Sequence, residues 1–476
     1  MNPVDSYDHV VIGSGPAGQK AAIQLAKHAG SVALIERERE IGGECVYRGT
    51  IPSKTLRESA LEIACLRPRL AALGVSSRED MEVQSLMGRL ADVLRAHEKF
   101  ISDQLGRNGI AMLHGRARFL DPNTLELSQP RGRKRHIVAG KIIIATGSRP
   151  RSPDNFEIDH EHILDSDSVL SMIYLPRSLV VLGGGVIACE YATIFAALGV
   201  EVTIVDRYPR PLGFLDPDLI TAFEEHLDRI NCRFIGNTRV KGVEFDGFSQ
   251  VVTRLDDGTT LHSDKVFCAL GRVANVATLG LDRAGIVLTE QGHVPVNRHL
   301  QTTQAHIYAV GDVIGPPSLA SASMEQGRRA ARHALGLDVE SGEAPIPAGI
   351  YTLPEMSTIG LTEAEVTSQQ GAAVTGCAKF AEIARGHISD SQDGLLKMVA
   401  DADGRKLLGV QIFGQGATEL VHIGQMALIA GQDIDVFIDN VFNFPTLAEA
   451  YRVAALQIAG KRGQAALTRP ARLATY

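Results

Sequence analysis

The sequence predicts an α/β protein in which two strand–glycine turn–helix–strand units precede a separate α+β domain. Three observations carry that reading. HVVIGSGPAGQKAAIQLAKHAGSVALIERE runs from an apolar strand through a glycine turn into an amphipathic helix and a second strand. SLVVLGGGVIACEYATIFAALGVEVTIVDR repeats that order later in the chain. From about Ile346 a different strand pattern begins, in YTLPEMSTIGLTEAEV, KMVA and LLGVQIFG, with helical segments after it. The 47 glycines, 5% aromatic residues and absence of tryptophan suit many tight turns between strands and helices. A chain of 476 residues, 45% of them hydrophobic, can bury several cores, and its length suggests roughly two to four domains.

In the first unit Gly13, Gly15 and Gly18 form GxGxxG, and Glu36 ends the second strand. Each residue type has a physical task. Gly13 allows the tight turn, Gly15 lets the backbone approach a pyrophosphate, and Gly18 lets the helix pack close on the strand. The helix N-terminus offers free N–H groups and a positive dipole end to phosphates. Glu36 can accept hydrogen bonds from both hydroxyls of a ribose. In the second unit the corresponding residues are Gly183, Gly185 and Ala188, with Asp206 ending the strand. Two such units predict two Rossmann-like dinucleotide sites.

Three shorter segments fit the same picture. KIIIATGSRP reads as a buried strand ending in a small-residue turn at Thr146 and Gly147 that can approach a ligand. CALGR, with Gly271, reads as a similar turn closing the second nucleotide region. HIYAVGD is a buried strand ending in Gly311 and Asp312, where a carboxylate can meet a polyol hydroxyl. Residues from Ile51 to about Ala111 read as a long helical stretch, and KRGQAALTRPARLATY as a loose basic tail.

Composition excludes several classes. The net charge of −7 argues against a general nucleic-acid binder. RGRKRH, Arg131 to His136, sits between strand-like runs and reads as a solvated hairpin tip. The cysteines at 45, 65, 189, 232, 268 and 377 are scattered without a CxxC pair, which suits neither a secreted disulfide framework nor a zinc site. The start MNPVDSYDHVVIG lacks the pattern of a signal peptide, and no apolar run reaches about 18 residues. The expectation is a cytoplasmic protein without a membrane span.

The motifs GSGPAG, GGxC with IPSK, ATGSRP, GGGVIACE, the LGR turn, IYAVGD and PTLAEAYRVAA, in this order along nearly the whole chain, resemble the pyridine nucleotide–disulfide oxidoreductase family. The resemblance implies one non-covalent FAD per chain, NAD and NADP as substrates, and a homodimer built through the C-terminal domain. It divides the chain into an FAD-binding domain at 1–152 and 277–345, an NAD(P)-binding domain at 153–276, a dimerisation domain at 346–463 and a tail at 464–476. It places Gly13, Gly15, Gly18, Glu36, Gly43, Thr146, Gly147 and Asp312 at the FAD, and Gly183, Gly185, Asp206, Arg207 and Gly271 among the cofactor-binding positions. Lys54 and Glu190 match an ion pair beside the flavin ring. A lysine there favours the anionic reduced flavin, and the glutamate fixes the lysine.

Two departures bear on the reaction. In the disulfide members the redox pair sits at positions matching Cys45 and Thr50, and a hydroxyl cannot form that bond. The histidine of their histidine–glutamate pair is matched by Phe444, while Glu449 remains. GTIPSKTLRE, DSDSVLSM, GDVIGPPSLASA and NFPTLAEAYRVAALQ are similar to a branch of the family that lacks the disulfide. The reading that follows is hydride transfer between NADPH and NAD+ through FAD, with Lys54, Glu190 and Cys45 as the candidate catalytic residues. Cys45 is then either a small residue under the flavin or a redox group. Flavin reduction of a quinone, metal or other acceptor is the rival enzyme, and a flavin-bearing regulator with Cys45 as sensor the rival of another class. After Asp206, Arg207 and nearby Arg210 suit a site that takes both nucleotides, and Gly213 stands where a second arginine sits in NADP-specific relatives. The alternative reading of DRYPRPLG is a solvated loop with incidental charges.

Overall fold

The computed structural model describes residues 4–28, 30–72, 83–339 and 345–468. Its contacts divide the chain into two units, one drawn from 1–56, 79–175 and 270–342, the other from 57–78, 176–269 and 343–476.

The first unit is built on a seven-stranded sheet. Val4–Ile12 lies between Val32–Glu36 and Lys134–Ile144, parallel to both. The first half of Val4–Ile12 alternates between exposed and half-buried residues, whereas His9–Ile12 is wholly buried. A parallel strand covered on both faces has this continuous apolar character. Val10, Ile12, Ile35, Ile142 and Ile144 pack on one side with Phe119 and Leu125. Val11, Leu34 and Ile143 pack on the other with Leu25 of the helix Pro16–Ala26. Lys134–Ile144 changes partners along its length. Its first residues pair antiparallel with Thr124–Ser128, and Ile142–Ile144 pair parallel with Ile307–Ala309. The strands ending at Ile12, Ile144 and Ala309 therefore deliver three turns, at Gly13, Ala145 and Gly311, to one edge of the sheet. Ligands of open α/β sheets bind at such carboxyl ends.

The hairpin tip and the helical stretch appear as expected. Arg131 to His136 span a short turn and the start of Lys134–Ile144, with Lys134 paired to Glu126 at 3.1 Å and Arg135 to Asp5. Helix Thr50–Ala72, which contains IPSK, and helix Val83–Arg107 lie in that helical stretch, and residues 73–82 between them lie outside the described residues.

The second unit holds a parallel sheet in the order Cys232–Ile235, Glu201–Val205, Ser178–Leu182, Lys265–Cys268. Its helix Val186–Ala197 is buried along most of its length. The same unit contains a five-stranded antiparallel sheet in the order Ala348–Ile350, Met356–Gly360, Leu407–Phe413, Leu395–Ala400, Val374–Lys379. Leu396, Met398, Val410 and Ile412 from that sheet share a core with Val421 of Ala417–Ile429 and Tyr451 and Ile458 of Glu449–Thr468. The last helix corrects one expectation. KRGQAALT continues it to Thr468 rather than forming a loose tail, and residues 469–476 lie outside the described residues. Among the described residues no helix is long and apolar enough to cross a membrane, and no group of three or more His, Cys, Asp or Glu could hold a metal ion.

Candidate functional site

Backbone geometry shapes the first glycine turn. Gly13 has φ +106°, a region that L side chains rarely adopt, and a Cβ there would fall 2.3 Å from the Ala145 carbonyl oxygen. A Cβ at Gly18 would fall 1.8 Å from the Gly13 carbonyl oxygen, so only glycine lets the helix approach so closely. Gly15 caps the helix Pro16–Ala26, with nothing within 4 Å of where its Cβ would be. Pro16 follows at the first helical turn, where a missing N–H costs nothing. The result is an open approach to the free N–H groups of a helix start.

Glu36 is fixed beside this turn. One carboxylate oxygen accepts from Ser14 N at 2.9 Å and Ser14 Oγ at 2.6 Å, and the other accepts from Glu38 N at 2.9 Å. A carboxylate has about four acceptor positions, so capacity remains for a ribose. Ser14 Oγ also accepts from Gly42 N at 2.9 Å, and Gly43 packs on Gly15. The segment carrying Cys45 is thereby tied to the glycine turn.

Around the second strand end, Thr146 Oγ1 is buried without a hydrogen-bond partner among the described residues. Such a group invites a ligand atom. Asn275 holds the turn through N to Gly147 O at 2.9 Å and Nδ2 to Thr146 O at 3.0 Å. Asp312 accepts from Ser148 Oγ at 2.7 Å, and Arg272 reaches Ser148 through Nε to Oγ at 2.8 Å and Nη2 to O at 2.9 Å. Gly271, read in the sequence as closing the second nucleotide region, thus precedes an arginine that serves the first unit.

Cys45 is one of the free cysteines. Burial raises its thiol above the ordinary value, opposed by a hydrogen bond with Thr50 and by the charge of Lys54, while Asp312 adds to the rise. A half-buried neutral thiol beside a threonine hydroxyl is a poor nucleophile. Lys54 Nζ donates to Ser53 Oγ at 3.3 Å. Glu190 belongs to the second unit, where its buried carboxylate accepts from Tyr351 N at 2.9 Å.

The second glycine turn follows the first in outline. Gly183 N donates to Val205 O at 2.8 Å as Gly13 N does to Ile35 O, and Gly185 caps Val186–Ala197. Ala188 is fully buried against the sheet. Gly184 replaces the serine of the first turn, and the Asp206 carboxylate lies directly on it: a Cβ at Gly184 would be 2.5 Å from Asp206 Oδ2. Arg207 is exposed and stacks on Tyr208, whereas Arg210 is held by Glu224. Phe444 is 74% exposed, and Glu449 Oε2 accepts from Thr446 N at 3.3 Å.

With that geometry in view, similarity to known proteins is decisive about family. The family description "Pyridine nucleotide-disulphide oxidoreductase" matches residues 7–327, and its dimerisation domain matches residues 346–455. The chain belongs to the pyridine nucleotide-disulphide oxidoreductase family. It is 43% identical over 457 residues to a soluble pyridine nucleotide transhydrogenase of Mycobacterium tuberculosis, covering 96% of this chain and 97% of that one. It is 38% identical to another of that name from Colwellia psychrerythraea, covering 94% and 97%. Among solved structures, LpdA of M. tuberculosis gives a TM-score of 0.88 at 28% identity over 94% of this chain and 99% of that one. The Cu(II) complex of the HOCl-induced flavoprotein disulfide reductase RclA from Escherichia coli gives 0.87 at 27% over 96% and 99%. As a member of this FAD-dependent family, the chain takes NAD(P) nucleotides as substrates.

Sequence reasoning missed several residues that the structure ties to the candidate site or to the segment carrying Cys45. Ser14, Ser148 and Arg272 stand inside or beside quoted motifs, so their position was the available signal. Glu44 and Asp167 gave none. Arg48 Nη1 lies 3.2 Å from Glu44 Oε1 and 3.8 Å from Asp167 Oδ2, and each carboxylate keeps one buried oxygen without a hydrogen-bond partner among the described residues. Burial raises both carboxyls, with added repulsion from Asp167 on Glu44 and from Asp165 on Asp167.

Proposed function

We propose that this chain passes hydride between NADPH and NAD+ through one FAD, without a redox-active disulfide. The observation that carries the proposal is near-full-length similarity, at 37–43% identity, to proteins named soluble pyridine nucleotide transhydrogenase. The thiol–hydroxyl pair at Cys45 and Thr50 supports the same reading.

The residues fit FAD. The open helix start at Gly15, the orphaned Thr146 hydroxyl and the acceptor capacity left on Glu36 suit a pyrophosphate and a ribose. Bound FAD supplies a group that accepts a hydride and later gives one up. Everything else falls to the chain. Gly13, Gly15 and Gly18 present the helix N–H groups, and Glu36 holds the ribose. Ser148 donates to Asp312 and orients it toward a polyol hydroxyl. Lys54 supplies positive charge to the reduced ring, and Glu190 is the carboxylate that the family resemblance assigns to it. Asp206 takes the adenosine ribose of the nicotinamide nucleotide, with Arg207 beside it. A hydride enters and a hydride leaves, so no side chain must transfer a proton, and Phe444 in place of histidine is tolerated. Catalysis rests on positioning and on the charge at the ring.

The proposal also assigns the domain limits 1–152 with 277–345, 153–276 and 346–463, a homodimer through the last domain, and work in the cytoplasm. The test is steady-state reduction of an NAD+ analogue by NADPH. One shared nucleotide pocket predicts parallel initial-rate lines, because the first product leaves before the second substrate enters. Absent transfer to the analogue, with brisk reduction of a quinone, would replace the transhydrogenase by a flavin reductase.

A further inference from the structure

Residues 207–212 fold back over the second glycine turn. Leu212 N donates to Gly184 O at 2.8 Å, and Asn237 N to Tyr208 O at 3.1 Å, which pins the loop from both sides. It presents two arginines in different states. Arg207 is exposed, its guanidinium 4.8 Å from the centre of the Tyr208 ring and its Nη2 donating to the Tyr208 hydroxyl at 2.9 Å. Its charge meets no carboxylate among the described residues. Arg210 is engaged by the helix Pro217–Arg229. Its Nε lies 3.1 Å from both Glu224 carboxylate oxygens, and its Nη2 donates to Glu224 Oε2 at 2.6 Å and to Thr221 Oγ1 at 2.8 Å. Thr221 and Glu224, three apart on the helix, share a face and form a fitted receptor for that guanidinium.

An arginine fork binds a carboxylate and a phosphate by the same bidentate geometry, so a carboxylate on the Nε–Nη2 edge of Arg210 excludes a phosphate from that edge. The carboxylate also cancels the arginine charge that a phosphate of charge about −2 would otherwise meet. We propose that Glu224 sets the nucleotide choice of this site. By engaging Arg210 it withholds a second cation from the adenosine 2′-phosphate of NADP(H). Neither nucleotide then outcompetes the other, as exchange of both through one pocket requires. This inference rests on the reading of Gly183–Asp206 as the nicotinamide-nucleotide site.

The test is calorimetric titration of the FAD-loaded protein with adenosine 2′,5′-bisphosphate and, separately, with 5′-AMP. Glu224→Gln keeps the shape and removes the charge. It should bind the bisphosphate about tenfold tighter than the unaltered protein, leave 5′-AMP within about twofold, and lose most of the gain at high salt. Glu224→Ala should act in the same direction, and adding Arg210→Ala to Glu224→Gln should cancel the gain. A role limited to holding the loop in place would move both probes together. Equal change for both, no change for either, or a gain that survives loss of Arg210 overturns the proposal. Unaltered protein that binds neither probe overturns the nucleotide site itself, and Glu224's role with it. Binding of both probes with no response at Glu224 overturns the pairing alone.

Discussion

At the residue scale, the acids that end the second strand of each unit were legible, because a carboxylate in register with a glycine turn has few other uses. Their local settings were not. Glu36 meets a serine hydroxyl and Asp206 meets a bare glycine, a difference set by the side chain at a single position, Ser14 or Gly184. The sequence left DRYPRPLG open between a binding loop and a solvated one. The structure ties the loop to the glycine turn and separates its two arginines. Arg207, exposed beside Asp206, is therefore the candidate contact for a 2′-phosphate. Arg207→Ala should raise the KM for NADPH about tenfold and change that for NADH little, since a charge-assisted contact to phosphate is lost in one case only. Equal effects in steady-state kinetics would remove Arg207 from the site. The partners Arg57 and Glu355, 2.9 Å apart and both buried, show why other pairs escaped notice: 298 positions separate them.

At the element scale, the periodic helices and apolar strands were readable because burial on one or both faces leaves its mark locally. Helix-to-helix packing leaves a fainter mark. The helix Ala320–Ala334 lies against Pro16–Ala26 at Gly327, where a Cβ would fall 2.1 Å from the Ala17 carbonyl oxygen. Gly327→Ala should cost about 1–3 kcal/mol through overpacking, read as a lower thermal midpoint and faster loss of bound FAD. An unchanged midpoint would mean that the two helices part without strain. On Pro217–Arg229, burial and then the charge of Arg229 hold the His226 imidazole below its ordinary value, and its Nδ1 is buried without a hydrogen-bond partner among the described residues. The folded state therefore binds fewer protons than the unfolded chain. His226 contributes stability that is complete above about pH 6.5 and declines as pH falls through the depressed folded value. His226→Gln should flatten that decline in thermal midpoints taken between about pH 7 and 5. An identical pH profile would clear His226 of the effect.

At the scale of the whole molecule, the order of motifs made the family legible before any coordinates. The long-range networks Asp312–Ser148–Arg272 and Glu44–Arg48–Asp167 became visible only when the chain folded. The matched dimerisation domain exposes Met426, Ile429, Val441 and Phe444, large apolar side chains that a second copy would cover. Met426→Glu combined with Ile429→Glu should shift the protein from dimer to monomer in sedimentation, and an unchanged dimer would place the interface elsewhere. The proposed function requires electrons to pass through the flavin alone, between two nicotinamide nucleotides. Its most direct test is anaerobic dithionite titration of the FAD-loaded protein, followed by NAD+ in one sample and NADP+ in another. Thr50 offers Cys45 a hydroxyl and no second thiol, so two electrons per FAD should bleach the flavin fully, without the long-wavelength band that a thiolate gives beside oxidised flavin. Either nucleotide should then restore the oxidised spectrum and leave with one hydride. Uptake of four electrons, a thiolate band, or failure of either nucleotide to reoxidise the flavin would contradict the account.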